Sequence, residues 1–208
     1  MSSQPTEQTK TGADTAMHLD RFDNSTFERG RGKVVEALWL LASGVFVRSW
    51  LPGSGFRVWI LRMFGAQIGP GVVIKPHVTI KFPWRLSIGA NSWIGEEVWI
   101  DNLVQVSIGA NCCISQGAYL CTGSHNWSIP TFDLITKPII IGDGAWICAK
   151  SSVAQGVHVG AGAVLGFGAI ATRDLEPAHC YLPAGALVVK SRSRTEADLA
   201  DSRKPTSG

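Results

Sequence analysis

The string Leu120-Cys121-Thr122-Gly123-Ser124-His125-Asn126 holds the side chain best suited to moving a proton. An imidazole with an ordinary pKa of ~6.5 can take a proton from a hydroxyl at neutral pH. Cys121, four residues earlier, raises a second chemistry, a thiolate nucleophile activated by the same histidine. The five cysteines, Cys112, Cys113, Cys121, Cys148 and Cys180, are odd in number and form no C-x-x-C pair. They therefore suggest neither a disulfide framework nor a thiolate zinc site, and read as small apolar side chains in a reducing cytoplasm.

The elements that position this string follow a six-residue period. Aliphatic anchors recur at Ile68, Ile74 and Ile80, at Ile88, Ile94 and Ile100, at Ile108, Ile114 and Leu120, and from Ile141 through Ile147, Val153, Val159 and Leu165 to Ala171. A small or β-branched residue sits four places after each anchor, as at Val72, Ser92, Val104, Cys112 and Ala118. Glycine often follows the anchor, as at Gly69, Gly89, Gly109, Gly142 and Gly166. A helix repeats every 3.6 residues and cannot generate a step of six. Three short strands per turn of a triangular solenoid can, with one anchor per strand pointing inward and the glycines at the corners.

The breaks in the period all fall at one corner. Ile80 to Ile88 and Ile100 to Ile108 are eight residues apart, and Leu120 to Ile141 is twenty-one. The longest insertion, near residues 121–140, is expected to leave the solenoid there as a loop with His125 at its root. Twenty residues separate Ile100 from Leu120, so Asp101, Asn102 and Gln105 are expected one coil away as candidate partners or substrate contacts.

The remaining segments are read as follows: 1–30 a disordered polar tail, 31–64 a helical cap or membrane-surface segment, 65–175 the solenoid, 176–192 a closing strand or short helix, and 193–208 a disordered tail. Pro52, Gly53 and Gly55 split 31–64 into two short helices. From Arg31 to Arg62 it carries five basic residues and one acid, with Arg48, Arg57 and Arg62 the expected lipid contacts. Within this segment the longest uncharged stretch, Ala37 to Val47, is 11 residues, short of the ~18 needed to span a bilayer. No secretory signal is expected from the polar start. A net charge of +3, with no basic run interleaved with aromatics, does not read as a nucleic-acid surface.

The hexad over about residues 64–175, with Thr122-Gly123-Ser124-His125 and Lys137-Pro138-Ile139-Ile140-Ile141-Gly142-Asp143-Gly144-Ala145-Trp146-Ile147, resembles the hexapeptide-repeat sugar O-acetyltransferases. Trp99-Ile100-Asp101-Asn102 and Gln116-Gly117-Ala118-Tyr119-Leu120 are similar to the colanic acid and exopolysaccharide group, with maltose and galactoside acetyltransferases further off. The resemblance implies an all-β, left-handed parallel β-helix, a homotrimer, and direct acetyl transfer from acetyl-CoA to a sugar hydroxyl with His125 as general base. It also implies Glu97 at a substrate-contacting position that is an amide in the family. Ala149 and Gly166 match positions beside the pantetheine, Thr172 and Arg173 match the adenine end, and the last CoA contact falls to Lys190 or Arg192. The family's closing Ala-Gly-Asn-Pro-Ala-Lys stands here as Ala184-Gly185-Ala186-Leu187-Val188-Val189-Lys190.

The resemblance leaves the acceptor open between a lipid-linked oligosaccharide and a soluble or nucleotide sugar, and between O- and N-acetylation. Trp84, Trp93, Trp99, Trp127 and Phe132 could stack on sugar rings or pack a trimer, and packing is the expectation for Trp146. Two other functions belong to the same fold. A silent trimeric scaffold is one. A zinc γ-type carbonic anhydrase is the other, and it needs closely spaced histidines, whereas His18, His77, His125, His158 and His179 lie far apart. The protein is expected in the cytoplasm, with the option of a peripheral position on the inner membrane face.

Overall fold

The computed structural model describes residues 17–183 and 187–191. Two compact units divide the chain: 17–28 with 125–135, and 29–124 with the residues from 136 onward.

The larger unit is a left-handed parallel β-helix. Its first coil is β1 (Gln67–Ile68), β2 (Val73–Ile74) and β3 (Thr79–Ile80). The second is β4 (Leu86–Ile88), β5 (Trp93–Ile94) and β6 (Trp99–Asp101), and the third β7 (Val106–Ile108), β8 (Cys113–Ile114) and β9 (Tyr119–Cys121). After a hairpin of β10 (Gly123–His125) and β11 (Leu134–Thr136), the coils resume with β12 (Ile139–Ile141), β13 (Trp146–Ile147) and β14 (Ser152–Val153). The next coil is β15 (His158–Val159), β16 (Val164–Leu165) and β17 (Ile170–Ala171), and β18 (His179–Leu182) and β19 (Leu187–Ser191) close the fold.

Each anchor sits on its counterpart in the next coil. One face pairs Ile74, Ile94, Ile114, Ile147, Leu165 and Tyr181 in turn. The others pair Ile68, Ile88, Ile108, Ile141 and Val159, and Ile80, Ile100, Leu120, Val153 and Ala171. All are buried. Full burial of one such aliphatic side chain is worth about 1.5–3 kcal/mol. The small residues four places on are buried as well, except Val104, which is half-buried in the interrupted corner. All three breaks in the period fall between the third face and the first, as the spacing requires.

The glycines after the anchors do a different job from the one their spacing suggests. A Cβ on Gly89 would lie 2.4 Å from the Ala110 nitrogen of the next coil, so close stacking, not backbone conformation, excludes a side chain. The left-handed residues stand three places after the anchors and include Asn91 (φ 59°), Glu97 (φ 57°), Asn111 (φ 55°) and Lys150 (φ 58°).

An open coil leaves unpaired backbone groups, and the helices supply one side chain to each strand of the first coil. Arg62 donates to the Ile68 carbonyl at 2.6 Å, the Ser54 hydroxyl accepts from the Ile74 N–H at 2.8 Å, and the Trp39 indole donates to the Ile80 and Lys81 carbonyls at 3.2 and 3.0 Å. Trp39 comes from α1 (Lys33–Ala42) and the other two from α2 (Ser54–Met63), joined through a π-helical turn at Ser43–Val47 and a loop. These bonds satisfy strand groups on the open side of the first coil.

Two expectations are corrected. Arg57 is not a lipid contact: it is 2% exposed and its guanidinium donates to the Val47, Ser49 and Leu51 carbonyls. Nor is the chain a featureless tail up to residue 30. Leu19–Arg21 form a 3-10 turn, and the His18 N–H donates to the Pro130 carbonyl at 2.8 Å. The segment near the C-terminus closes as strands, with β18 parallel to β16 and β19 antiparallel to β18. Residues 1–16 and 193–208, read from the sequence as tails, lie outside the described residues.

Stacking and helix propensity make opposite demands on glycine. Gly89→Ala is expected to destabilise the protein by about 1–3 kcal/mol. Gly55→Ala, where nothing lies within 4 Å of the added carbon in α2, is expected to stabilise it by about 0.5–1 kcal/mol. Chemical denaturation of the two variants checks both signs.

Candidate active site

His125 ends the first strand of the hairpin, held by the Asn126 N–H donating to the Asp133 carbonyl at 2.8 Å. The Asn126 side chain accepts from the Ser128 N–H at 3.0 Å and starts the turn. The chain then passes through Phe132, whose φ of 53° is an unusual left-handed value for a bulky residue. Such a conformation costs of order 1–3 kcal/mol and persists only where its surroundings impose it.

That conformation gives Phe132 two contacts with His125. Its carbonyl lies 2.8 Å from Nδ1, and its ring stacks on the imidazole at 4.3 Å and 3°. A carbonyl oxygen only accepts, so Nδ1 must carry the proton. The neutral ring is then the tautomer whose Nε2 lone pair is free to act as a base. Phe22, from residues 17–28, meets the imidazole edge-on at 5.3 Å and 65°. The ring is thus fixed by one hydrogen bond and two aromatic contacts, and it is half-buried. The sequence points to His125 but not to this support. It offers Phe132 as an aromatic for sugar stacking or trimer packing and gives no signal for Phe22 or for a backbone carbonyl.

The other expected residues lie in the β-helix unit. Asp101 accepts from the Tyr119 hydroxyl at 3.4 Å and pairs with Lys81 at 3.2 Å. Burial, then the neighbouring Cys121 and Asp101, push the Tyr119 phenol well above its ordinary value, so it stays a donor. Asn102 is corrected from a substrate contact to a structural residue. It is fully buried, with its carbonyl accepting from the Phe82 N–H at 3.0 Å and its amide donating to the Phe82 and Arg85 carbonyls at 2.6 and 3.0 Å. Gln105 is exposed and donates to Ser87 Oγ at 3.2 Å. Glu97 and Lys150 pair at 3.4 Å with both side chains exposed, a contact worth little to stability.

Of the residues matched to CoA, Gly166 is also corrected. It is buried, its N–H donates to the Tyr181 carbonyl at 2.7 Å, and the space beside it is taken by β18. Ala149 is half-buried, and Thr172 and Arg173 are exposed. Lys190 pairs with Cys180 through the backbone, and its side chain and Arg192 lie outside the described residues. The Cys121 thiol donates to the Gly123 carbonyl at 3.1 Å. Burial, then Cys180 and Cys113, push the Cys148 thiol up to about 11. Among the described residues no group of three His, Cys, Asp or Glu side chains is placed to hold a metal ion. Trp146, expected to pack, donates its indole N–H to Ser115 Oγ at 2.8 Å, and Trp127 is 80% exposed.

The chain is 37% identical over 173 residues to the WcaF protein of Escherichia coli K12, whose name assigns it to colanic acid biosynthesis as an acetyltransferase. The match spans 82% of this chain and 93% of that one. The chain belongs to the hexapeptide-repeat acetyltransferase family. A galactoside O-acetyltransferase of the same bacterium is 30% identical over 121 residues, 57% of this acetyltransferase and 59% of that protein. In fold, it matches a hexapeptide-repeat acetyltransferase of Vibrio cholerae, solved with acetyl-coenzyme A, with a TM-score of 0.70 and 22% identity over 79% of this chain and 92% of that one. No family model matches the chain.

Long-range 15N NMR of the acetyltransferase above pH 8 is expected to show His125 protonated at Nδ1 and bare at Nε2. The opposite tautomer would contradict the Phe132 contact. Phe22→Ala removes the edge-on support without altering His125 itself. It is expected to lower kcat about tenfold, the equivalent of 1.4 kcal/mol, while KM for the acetyl donor holds.

Proposed function

We propose that this acetyltransferase moves an acetyl group from acetyl-CoA to a sugar hydroxyl, with His125 as the general base. The observation that carries the reading is the Phe132 carbonyl on Nδ1, which leaves Nε2 free. In the proposed step Nε2 takes the hydroxyl proton as the sugar oxygen attacks the acetyl carbonyl. The bound thioester supplies the acetyl group, its C–S bond breaks, and the imidazolium returns the proton to the departing sulfur. No covalent enzyme intermediate is required, so Cys121 needs no part in it.

Exposed Arg173 and Thr172, with small Ala149, are the residues proposed to meet the CoA phosphates and pantetheine. Glu97, Asp101 and Gln105 remain the candidates for the acceptor, and Lys190 for the far end of CoA. The acceptor we favour is a lipid-linked oligosaccharide of exopolysaccharide assembly. The name of the 37% identical WcaF relative supports it, as does the exposed apolar helical segment. The working form is proposed to be a cytoplasmic homotrimer.

Calorimetry with acetyl-CoA on the wild type and His125→Ala tests the core of this reading without an acceptor. Micromolar binding by both is expected, with turnover of an exopolysaccharide intermediate falling about 10²–10⁴-fold in the variant. Absence of binding by both would overturn the transferase reading and leave a silent scaffold.

A further inference from the structure

The helical cap has two apolar sides, and only one is used. α1 buries Trp39 on the first coil, yet Val34, Leu38 and Leu41, at steps of four and three, form an exposed stripe on another side. α2 buries Val58, Ile60 and Leu61 and exposes Phe56, Trp59 and Met63, again at helical spacing. Both helices rest on the same coil, so both exposed stripes face away from it. Phe46, in the π-helical turn after α1, meets Phe56 at 5.4 Å, and Phe56 stacks on Trp59 at 5.7 Å, which ties that turn to the α2 stripe. Between them Trp50 is 74% exposed. The buried Arg57 guanidinium, bonded to the carbonyls of residues 47, 49 and 51, holds the loop that presents it.

Exposed large apolar side chains on both helices and the loop between them mark a binding face. Its charge says for what. Residues 29–64 carry six basic side chains and one acid, and that acid, Glu36, is paired with Arg29 at 2.6 Å. A second copy docking through the same face would bring like charges together. An anionic bilayer offers the complement to both the apolar stripes and the cations. Arg57 is buried, exposed Arg29 is paired with Glu36 and exposed Arg62 is bonded to the first coil, while Arg31, Lys33 and Arg48 are exposed as well. Tryptophan, leucine and methionine flanked by Lys and Arg suit a helix lying in the headgroup boundary. No helix among the described residues is long and apolar enough to cross.

We infer that the outer face of α1, the Trp50 loop and α2 docks the protein on an anionic lipid surface, with Trp50 and Trp59 inserted and Arg31, Lys33 and Arg48 over the headgroups. This docking does not depend on the acetyl-transfer reading and is measured without turnover. The test is flotation of the full chain with phosphatidylglycerol–phosphatidylethanolamine vesicles against pure phosphatidylcholine. The wild type is expected to partition at least tenfold more strongly onto the anionic vesicles and to lose that preference in high salt. Trp50→Ala/Trp59→Ala and Arg31→Glu/Lys33→Glu are each expected to reduce binding at least tenfold with the thermal unfolding midpoint unchanged. The second pair alters only exposed polar positions, so it stays informative if the first misfolds. Equal binding to both lipids, or variants that float like the wild type, would overturn the inference. So would concentration-dependent self-association abolished by the same substitutions, which would assign the face to a second copy.

Discussion

Each inward aliphatic side chain stands on the same position of the neighbouring coil, and the rest of the molecule depends on that register. Parallel pairing aligns Ile74, Ile94, Ile114, Ile147 and Leu165 in one column, with a column like it on each of the other faces. A one-residue slip in any strand would turn its anchor out to water. The stacking distance also decides which residues fit after the anchor, because a Cβ on Gly89 would collide with the backbone above it. Insertions are admitted only where the column is not interrupted, between the third face and the first.

That tolerant corner is built in two ways. In its inner turns, buried Asn102 substitutes for regular pairing by serving the Phe82 and Arg85 backbone, so the polar atoms of an irregular segment are satisfied. In its longest insertion the chain makes a hairpin instead. Its tip puts Phe132 into a costly backbone conformation, and that conformation holds the His125 ring. Strain local to the hairpin orients the His125 ring.

The ends of a solenoid are exposed strand edges, which would recruit other chains. At one end side chains from α1 and α2 bond the first coil, and at the other β18 and β19 extend one face beyond β16. Covering the first end with short helices leaves their outer sides apolar, so the element that covers the first coil also carries the surface proposed to meet lipid.

The six-residue period was legible because only the inward position is constrained to be aliphatic, and it repeats with every strand. His125 was legible because few side chains titrate near neutrality and this one stands at the root of the longest break. The solenoid, its tolerant corner and the singling out of His125 therefore follow from residue types and spacing, whereas the left hand of the coil and the role of base came from the family resemblance. What the tertiary structure decided is everything set by backbone groups and burial. Every residue has a carbonyl, so nothing in the letters marks that of Phe132 as the one that fixes the histidine tautomer. An arginine looks the same whether it faces lipid or, like Arg57, is folded inward onto three carbonyls. An asparagine one coil from the base looks like a substrate contact until its amide is seen to be spent on the corner. Side-chain chemistry is written residue by residue, whereas hydrogen-bond partners and solvent exposure exist only once the coils have stacked.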